Sequence, residues 1–238
     1  MSLTVRFFKW HRWLGYAVAL QVLAWVLGGL LFAWLPFKGW VKGQDAVQQP
    51  SQALPQDWAQ RLAGSGVHEP VRALRSVATA NGPAFKLSMA SGERWLSAAG
   101  GELAAADEAS VAAFARSLYR ADGALLDVKR LAGAGTRLGI VRELGGQRDV
   151  WLARFDDGLK TRLYFHGRSG ELLAVRTDAW VVYDFFWRLH VMDYADGEDF
   201  NNLLLRAASP LALGLVLTGA VMLVLALRRA ARRRLSRR

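Results

Sequence analysis

Histidines and carboxylates carry whatever chemistry this chain can do. There are four histidines, His11, His68, His166 and His190, and no cysteine. Lacking thiols, the chain cannot form thiolate zinc sites, iron–sulfur clusters, covalent c-type haem links or disulfides. His11 stands in "FKWHRWLGY", residues 7–15, just ahead of a long apolar run. Two readings are open for it: an aromatic-belt residue beside Trp10 and Trp13, or a metal ligand, the commonest role of a neutral imidazole outside catalysis. His190 lies in "AWVVYDFFWRLHVMDY", residues 179–194, where Tyr183, Trp187, His190 and Tyr194 are spaced to share a helix face. It reads either as a hydrogen-bonded histidine of a membrane-hugging helix or as a ligand. On a continued helix Met192 would point about 200° away from it. His166, in the strand-turn "YFHGRSGE", and His68, in the loop "GVHEP", read as surface residues. "DYADGED", residues 193–199, concentrates Asp193, Asp196, Glu198 and Asp199 without EF-hand spacing, so it reads as a solvated acidic loop whose Asp199 or Asn201 caps the next helix. No Gly-x-Ser-x-Gly, His-Glu-x-x-His, phosphate loop or dinucleotide fingerprint occurs, and hydrolase or NAD(P)H chemistry has no motif to rest on.

Two apolar elements must position these residues. Residues 13–35 hold no charge over 23 positions, with Gln21 the one strongly polar side chain. At 1.5 Å per residue they extend about 34 Å, enough for a hydrocarbon core of about 30 Å. Residues 207–227 form a second uncharged run of 21, about 31 Å long. The first run is too long for a signal-peptide core and ends in Trp34-Leu35-Pro36-Phe37 with no small-residue cleavage site, so it reads as a retained anchor. Arg6, Lys9 and Arg12 precede the first run; Arg228, Arg229, Arg232, Arg233, Arg234, Arg237 and Arg238 follow the second. The positive-inside rule puts both termini in the cytoplasm and the middle outside. These ten cations account for nearly all of the net charge of +11. The basic composition thus reports topology, and no nucleic-acid partner is expected, since there is no recognition helix or aromatic platform.

The middle of the chain changes pattern. Residues 36–55 read as a linker with scattered Gly, Pro and Gln, followed by a short helix in "QDWAQRLAGSG". From Pro70 onward "PVRALRSVAT", "AFKLSMAS" and "ERWLSAA" alternate as strands; "DEASVAAFARSLYR", residues 107–120, is an amphipathic helix with Val111, Phe114, Leu118 and Tyr119 on one face. Strands resume with "LLDVKRLA", "RDVWLARF", "TRLYFHG" and "ELLAVRT". A faint repeat ends twice on Gly-Glu-Leu, at Gly101-Glu102-Leu103 and Gly170-Glu171-Leu172, where the glycines suit turns of positive φ. The expected fold is an α+β membrane protein. Its order is an N-terminus (1–12), transmembrane helix 1 (13–35), an outer domain of two helix-plus-antiparallel-sheet halves (36–178), an interfacial aromatic helix and acidic loop (179–199), transmembrane helix 2 (200–227) and an Arg-rich tail (228–238).

With "WHRWLGYAVAL…WVLGGLLF", "RLYFHGRSGELLAV" and "WRLHVMDYADGEDFNNLLL" in place, the chain resembles the PepSY-domain membrane proteins with PepSY-associated transmembrane helices. Larger members resemble inner-membrane reductases that hold haem b on helix histidines and reduce ferric siderophores at the periplasmic face. The resemblance implies a bacterial inner-membrane location and a periplasmic PepSY-like middle domain. It also implies haem b, with His11 and His190 as iron ligands; Gln21 at a haem edge and Arg206 on a propionate are further cofactor-binding candidates, against the plainer expectations that Gln21 hydrogen-bonds across a helix interface and Arg206 snorkels to headgroups. Bis-histidine ligation suits electron transfer because it leaves no open iron site. Such members have about four spans where this chain has two, which implies a homodimer or a heteromeric redox partner. The expected topology puts His11 and His190 at opposite faces, roughly 30 Å apart, so one iron cannot bind both, and a two-fold axis along the membrane normal would pair each with its twin. Ala24-x-x-x-Gly28 and Gly214-x-x-x-Thr218 permit close helix packing, between chains or within one. Electrons would leave to a ferric chelate or a periplasmic redox protein. Arg154, Lys160, Arg162 and Tyr164 are candidates for docking it, against the plainer expectation of a solvated sheet face. A competing expectation is a membrane-anchored PepSY module, without cofactor, that regulates a periplasmic peptidase.

Overall fold

The structure is a computed structural model. It describes residues 3–49, 53–133 and 135–235, so 50–52 of the expected linker and Arg237 and Arg238 of the tail lie outside the described residues. The chain divides into two units, Leu35–Val182 and the pair of segments Met1–Trp34 and Tyr183–Arg238.

The first unit is α+β and repeats one plan twice. Helix α2 (Trp58–Ala63) precedes an antiparallel sheet of β1 (Ala73–Thr79), β2 (Gly82–Met89) and β3 (Gly92–Ser97), in that order. Helix α3 (Glu108–Leu118) precedes a second antiparallel sheet of β4 (Ala124–Gly133), β7 (Arg148–Asp156), β8 (Arg162–His166) and β9 (Leu172–Arg176). Between β4 and β7 a short hairpin, β5 (Thr136–Arg137) with β6 (Val141–Arg142), is inserted. Gly101 and Gly170 take φ of 84° and 66° at the matching turns. After the first turn only a single bridge, Leu96 to Glu102, stands where the second half has β9.

Alternation decides which strand residues face inward. In the first half Phe85, Leu87 and Leu96 form one small core, joined by Leu62 of α2. In the second, α3 is started by a capping box, with the Asp107 carboxylate accepting from Ser110 N–H and the Ser110 hydroxyl accepting from Asp107 N–H. It then lays Val111, Ala115 and Leu118 against Ala153, Phe155, Leu163 and Phe165. Full burial of each large side chain is worth about 1.5–3 kcal/mol. The expected linker is part of this core. Residues 37–41 make one wide helical turn, Val41, Ala46 and Val47 are buried, Val47 bridges to Tyr119, and Thr177 donates to the Trp40 carbonyl. The Gly, Pro and Gln content had suggested slack chain; the buried valines and alanine among them outweigh it.

The second unit is helical. It contains α1 (Leu3–Trp34), the part of α4 (Asp178–Val191) from Tyr183 on, and α5 (Leu203–Leu235). Val5–Trp34 and Leu203–Arg233 are long and apolar enough to cross a membrane. Helix α1 already begins at Leu3, so Arg6, Lys9 and Arg12 are helical rather than a separate tail, and α5 carries helix on past Arg228 to Leu235. Inward-turned positions of α1 recur every three or four residues through Phe7, His11, Leu14, Val18, Gln21, Trp25, Gly28 and Phe32, the spacing of one helix seam. Asn202, not Asp199 or Asn201, caps α5: its side-chain oxygen accepts from Leu205 N–H at 2.9 Å.

Candidate functional site

His11 sits on the α1 seam where α5 crosses. Its Nδ1 lies 3.2 Å from the Leu215 carbonyl and 3.1 Å from the Thr218 hydroxyl. The hydroxyl itself donates back to the carbonyls of Gly214 and Leu215, as hydroxyls do in apolar helices. A proton on Nδ1 satisfies these acceptors and leaves the Nε2 lone pair free, the arrangement that orients a metal-ligating histidine. Glycine makes room for the ring: a Cβ at Gly219 would stand 3.2 Å from His11 Cε1.

His190 lies at the last turn of α4. Its ring neighbours Trp25 and Phe32 of α1, at centroid distances of 6.2 and 6.1 Å, and is parallel to Trp187 at 6.3 Å. Its Nδ1 is buried and without a hydrogen-bond partner among the described residues. Burying an imidazole nitrogen unpaired costs about 1–3 kcal/mol. The ring lines an apolar cavity of about 440 Å³ with Trp25, Trp187, Val191, Phe200, Leu205 and Ser209. Helix α4 ends at Val191, and Met192 takes a left-handed φ of 56°, so helical geometry no longer sets its angle from His190.

Gln21 is on the same seam but not on the cavity wall; its amide donates to the Leu189 carbonyl at 2.8 Å. Arg206 is exposed on the first turn of α5. The structure thus gathers His190, with Gln21 one turn of α1 away from Trp25, and leaves His11 and Arg206 elsewhere. From His11 to Trp25 is 14 residues of α1, about 21 Å along the axis, so the two imidazoles do not meet. The small residues are used within the chain: Gly15 faces Leu215, Gly214 faces Leu14, and Gly28 faces Phe186. Trp25, Phe32 and Gly219 were not anticipated, and Thr218 was expected only as a small packing residue. Their signal was the three-and-four spacing that puts Trp25 and Phe32 in line with His11 and Gln21.

The outer-domain candidates separate differently. Arg162 and Tyr164 are buried, not on a docking face. Both bind the Glu143 carboxylate, Arg162 through Nε at 3.0 Å, and Arg162 also reaches Asp178 at 2.8 Å. Burial, together with that carboxylate, pushes the Tyr164 phenol well above its usual range. Arg154 is held by both oxygens of Asp127, whose carboxyl is pulled well down by that hydrogen bond. His166 is half-buried rather than a surface residue. It stacks on Trp95 at 4.5 Å and its Nδ1 accepts from Ser169 N–H. His68 is exposed. Among the described residues no three His, Asp or Glu side chains converge to hold a metal ion.

Does haem fit the helical unit? A flat apolar macrocycle would suit a hollow walled by indoles, a phenylalanine and leucine, but His190 Nδ1 is closed off from solvent, which leaves Nε2 as the ring atom that could bind iron there. Each histidine could supply one axial ligand at most, so a bis-histidine site would need a second chain to complete it. No family model, no curated protein and no solved structure matches this chain.

Proposed function

We propose that this chain is a PepSY-type membrane protein whose helical unit holds haem b and passes electrons across the bilayer. The acceptor, on the side of the Leu35–Val182 domain, is a ferric chelate or a redox protein. Haem b bound there would supply one-electron transfer. The observation that supports the proposal is His190, whose ring lines a hollow walled by Trp25, Trp187 and Phe200. His11 would be the second ligand, its tautomer fixed by the Leu215 carbonyl. Because the two rings lie about 21 Å apart along α1, they serve separate sites, and a second copy or a redox partner contributes the opposing imidazole at each. Gln21 then acts at a distance, by fixing the end of α4. Trp187 and Phe200 supply apolar walls beside His190.

The absorption spectrum of detergent-purified protein from haem-replete cells tests this directly. A b-type Soret band that shifts on dithionite reduction is expected. His11→Ala should remove part of it and His190→Ala the rest. A colourless preparation sinks the proposal and leaves the cofactor-free, peptidase-regulating module. Loss of all absorption from either single change, with the fold intact, sinks the two-site arrangement.

A further inference from the structure

We infer that α4 and α5 form one interrupted membrane partner for α1, and that the last turns of α4, with His190, lie beneath the lipid surface on the domain side. The inference rests on the membrane reading of α1 and α5. Along α1, Tyr183 meets Phe32, Phe186 meets Gly28, and His190 meets Trp25; farther down, Leu215 meets Gly15 and Thr218 meets His11. One stripe of α1 is therefore covered first by α4 and then by α5, both antiparallel to it, with the break at 192–202.

How the break is closed indicates its surroundings. The last carbonyls of a helix ordinarily turn to water. Here three in succession take side-chain donors: Leu189 from Gln21, His190 from Trp25 and Val191 from Asn202, each at 2.8 Å. In the loop, the Asp193 carboxylate accepts the N–H groups of Ala195, Gly197, Glu198 and Asp199, the longest at 3.1 Å. Trp187 and Arg188 donate to the carbonyls of Gly197 and Ala195. The charges of α4 are neutralised inside, Arg188 on Asp184 at 2.6 Å with both side chains largely buried. A backbone break is tolerated at membrane depth only when protein groups satisfy it in this way. Meanwhile Leu23 and Val26 of α1, alongside α4, stay more than half exposed and apolar, which lipid tails would cover.

The exposed Asp196, Glu198 and Asp199 cannot enter lipid, so the loop tip marks the surface. The tip folds back beside Trp187, level with Gly28 of α1. A hydrocarbon core of about 30 Å, or about 20 residues, measured down α1 from Gly28 ends near Phe8. That position lies between Arg6 and Lys9, where cations mark the opposite surface, and Arg12, about one turn inside it, is long enough to snorkel to the same surface.

The chain has no cysteine, so single-cysteine variants of the full protein in phosphatidylcholine–phosphatidylglycerol nanodiscs can be probed with a water-soluble maleimide. Glu198→Cys should label; Leu20→Cys and Val26→Cys should lose labelling until detergent is added. Labelling of Val26→Cys with Leu20→Cys protected puts α4 outside the lipid and overturns the inference alone. Protection of Glu198→Cys overturns it too, by removing the surface mark. Labelling of Leu20→Cys overturns the membrane reading itself.

Discussion

Gly219 decides where the His11 ring can lie. A Cβ there stands 3.2 Å from Cε1, and Gly219→Val adds two more carbons against it. The ring should leave the Leu215 carbonyl, and reduced-minus-oxidised spectra should lose the share that His11→Ala also removes. Thr218→Val should do less, because the carbonyl remains. His166 gives a pH prediction. Burial lowers its pKa from 6.5, with Glu171 opposing. The folded state then binds fewer protons than the unfolded state, so stability is full above about pH 6.5 and falls as pH drops toward the folded pKa. Protonation at Nδ1 also ends its acceptance from Ser169 N–H. His166→Gln should flatten the melting temperature between pH 7.5 and 5 relative to the parent, as scanning calorimetry would register. Of these residues, His11 was legible because it sits among aromatics before an apolar run. Thr218 was legible as a small packing residue but not as a partner of His11, and the burial of His166 depends on Trp95, far away in sequence.

At the scale of elements, the helix seams and strand faces were readable because period alone sets them. The strands of both sheets match the alternating segments closely. What escaped was the β5–β6 hairpin, in a glycine-rich stretch whose one buried acid, Glu143, looks like turn decoration in sequence. Its carboxylate gathers Arg162 and Tyr164, and its carbonyl takes Arg176, so it pins the hairpin to the sheet and, through Arg162 and Asp178, to the start of α4. Breaking a buried ion pair from one side costs about 3–5 kcal/mol. Glu143→Gln should therefore lower the denaturation midpoint of the domain strongly, while Glu143→Gln combined with Arg162→Met should recover part of the loss. The cap of α4 is a second case. Gln21→Leu leaves the Leu189 carbonyl unpaired, at a cost of about 1–3 kcal/mol. Proteolysis should then cut at 192–202 sooner than in the parent.

At the scale of the molecule, composition revealed the two apolar helices and the order of the parts, but not which parts touch. That α1 is shared between α4 and α5 depends on the helix break, and no local pattern specifies the register across it. The two sheet-bearing halves show the same limit. Their Gly-Glu-Leu turns were visible as a repeat, yet each glutamate points out of its own half. Glu102 reaches Arg168, an exposed pair worth little, whereas Glu171 reaches Lys86 at 3.2 Å and the Trp95 indole at 3.0 Å, mostly screened from solvent. Glu171→Ala should lower the melting temperature measurably more than Glu102→Ala.

Those crossed reaches mean that neither repeat is a finished object. Cut between them, one fragment would keep an indole N–H with no carboxylate to meet and a lysine left with Glu93 alone, and the other a carboxylate held out to nothing. A lone copy of either repeat would thus need a second one to complete its polar contacts.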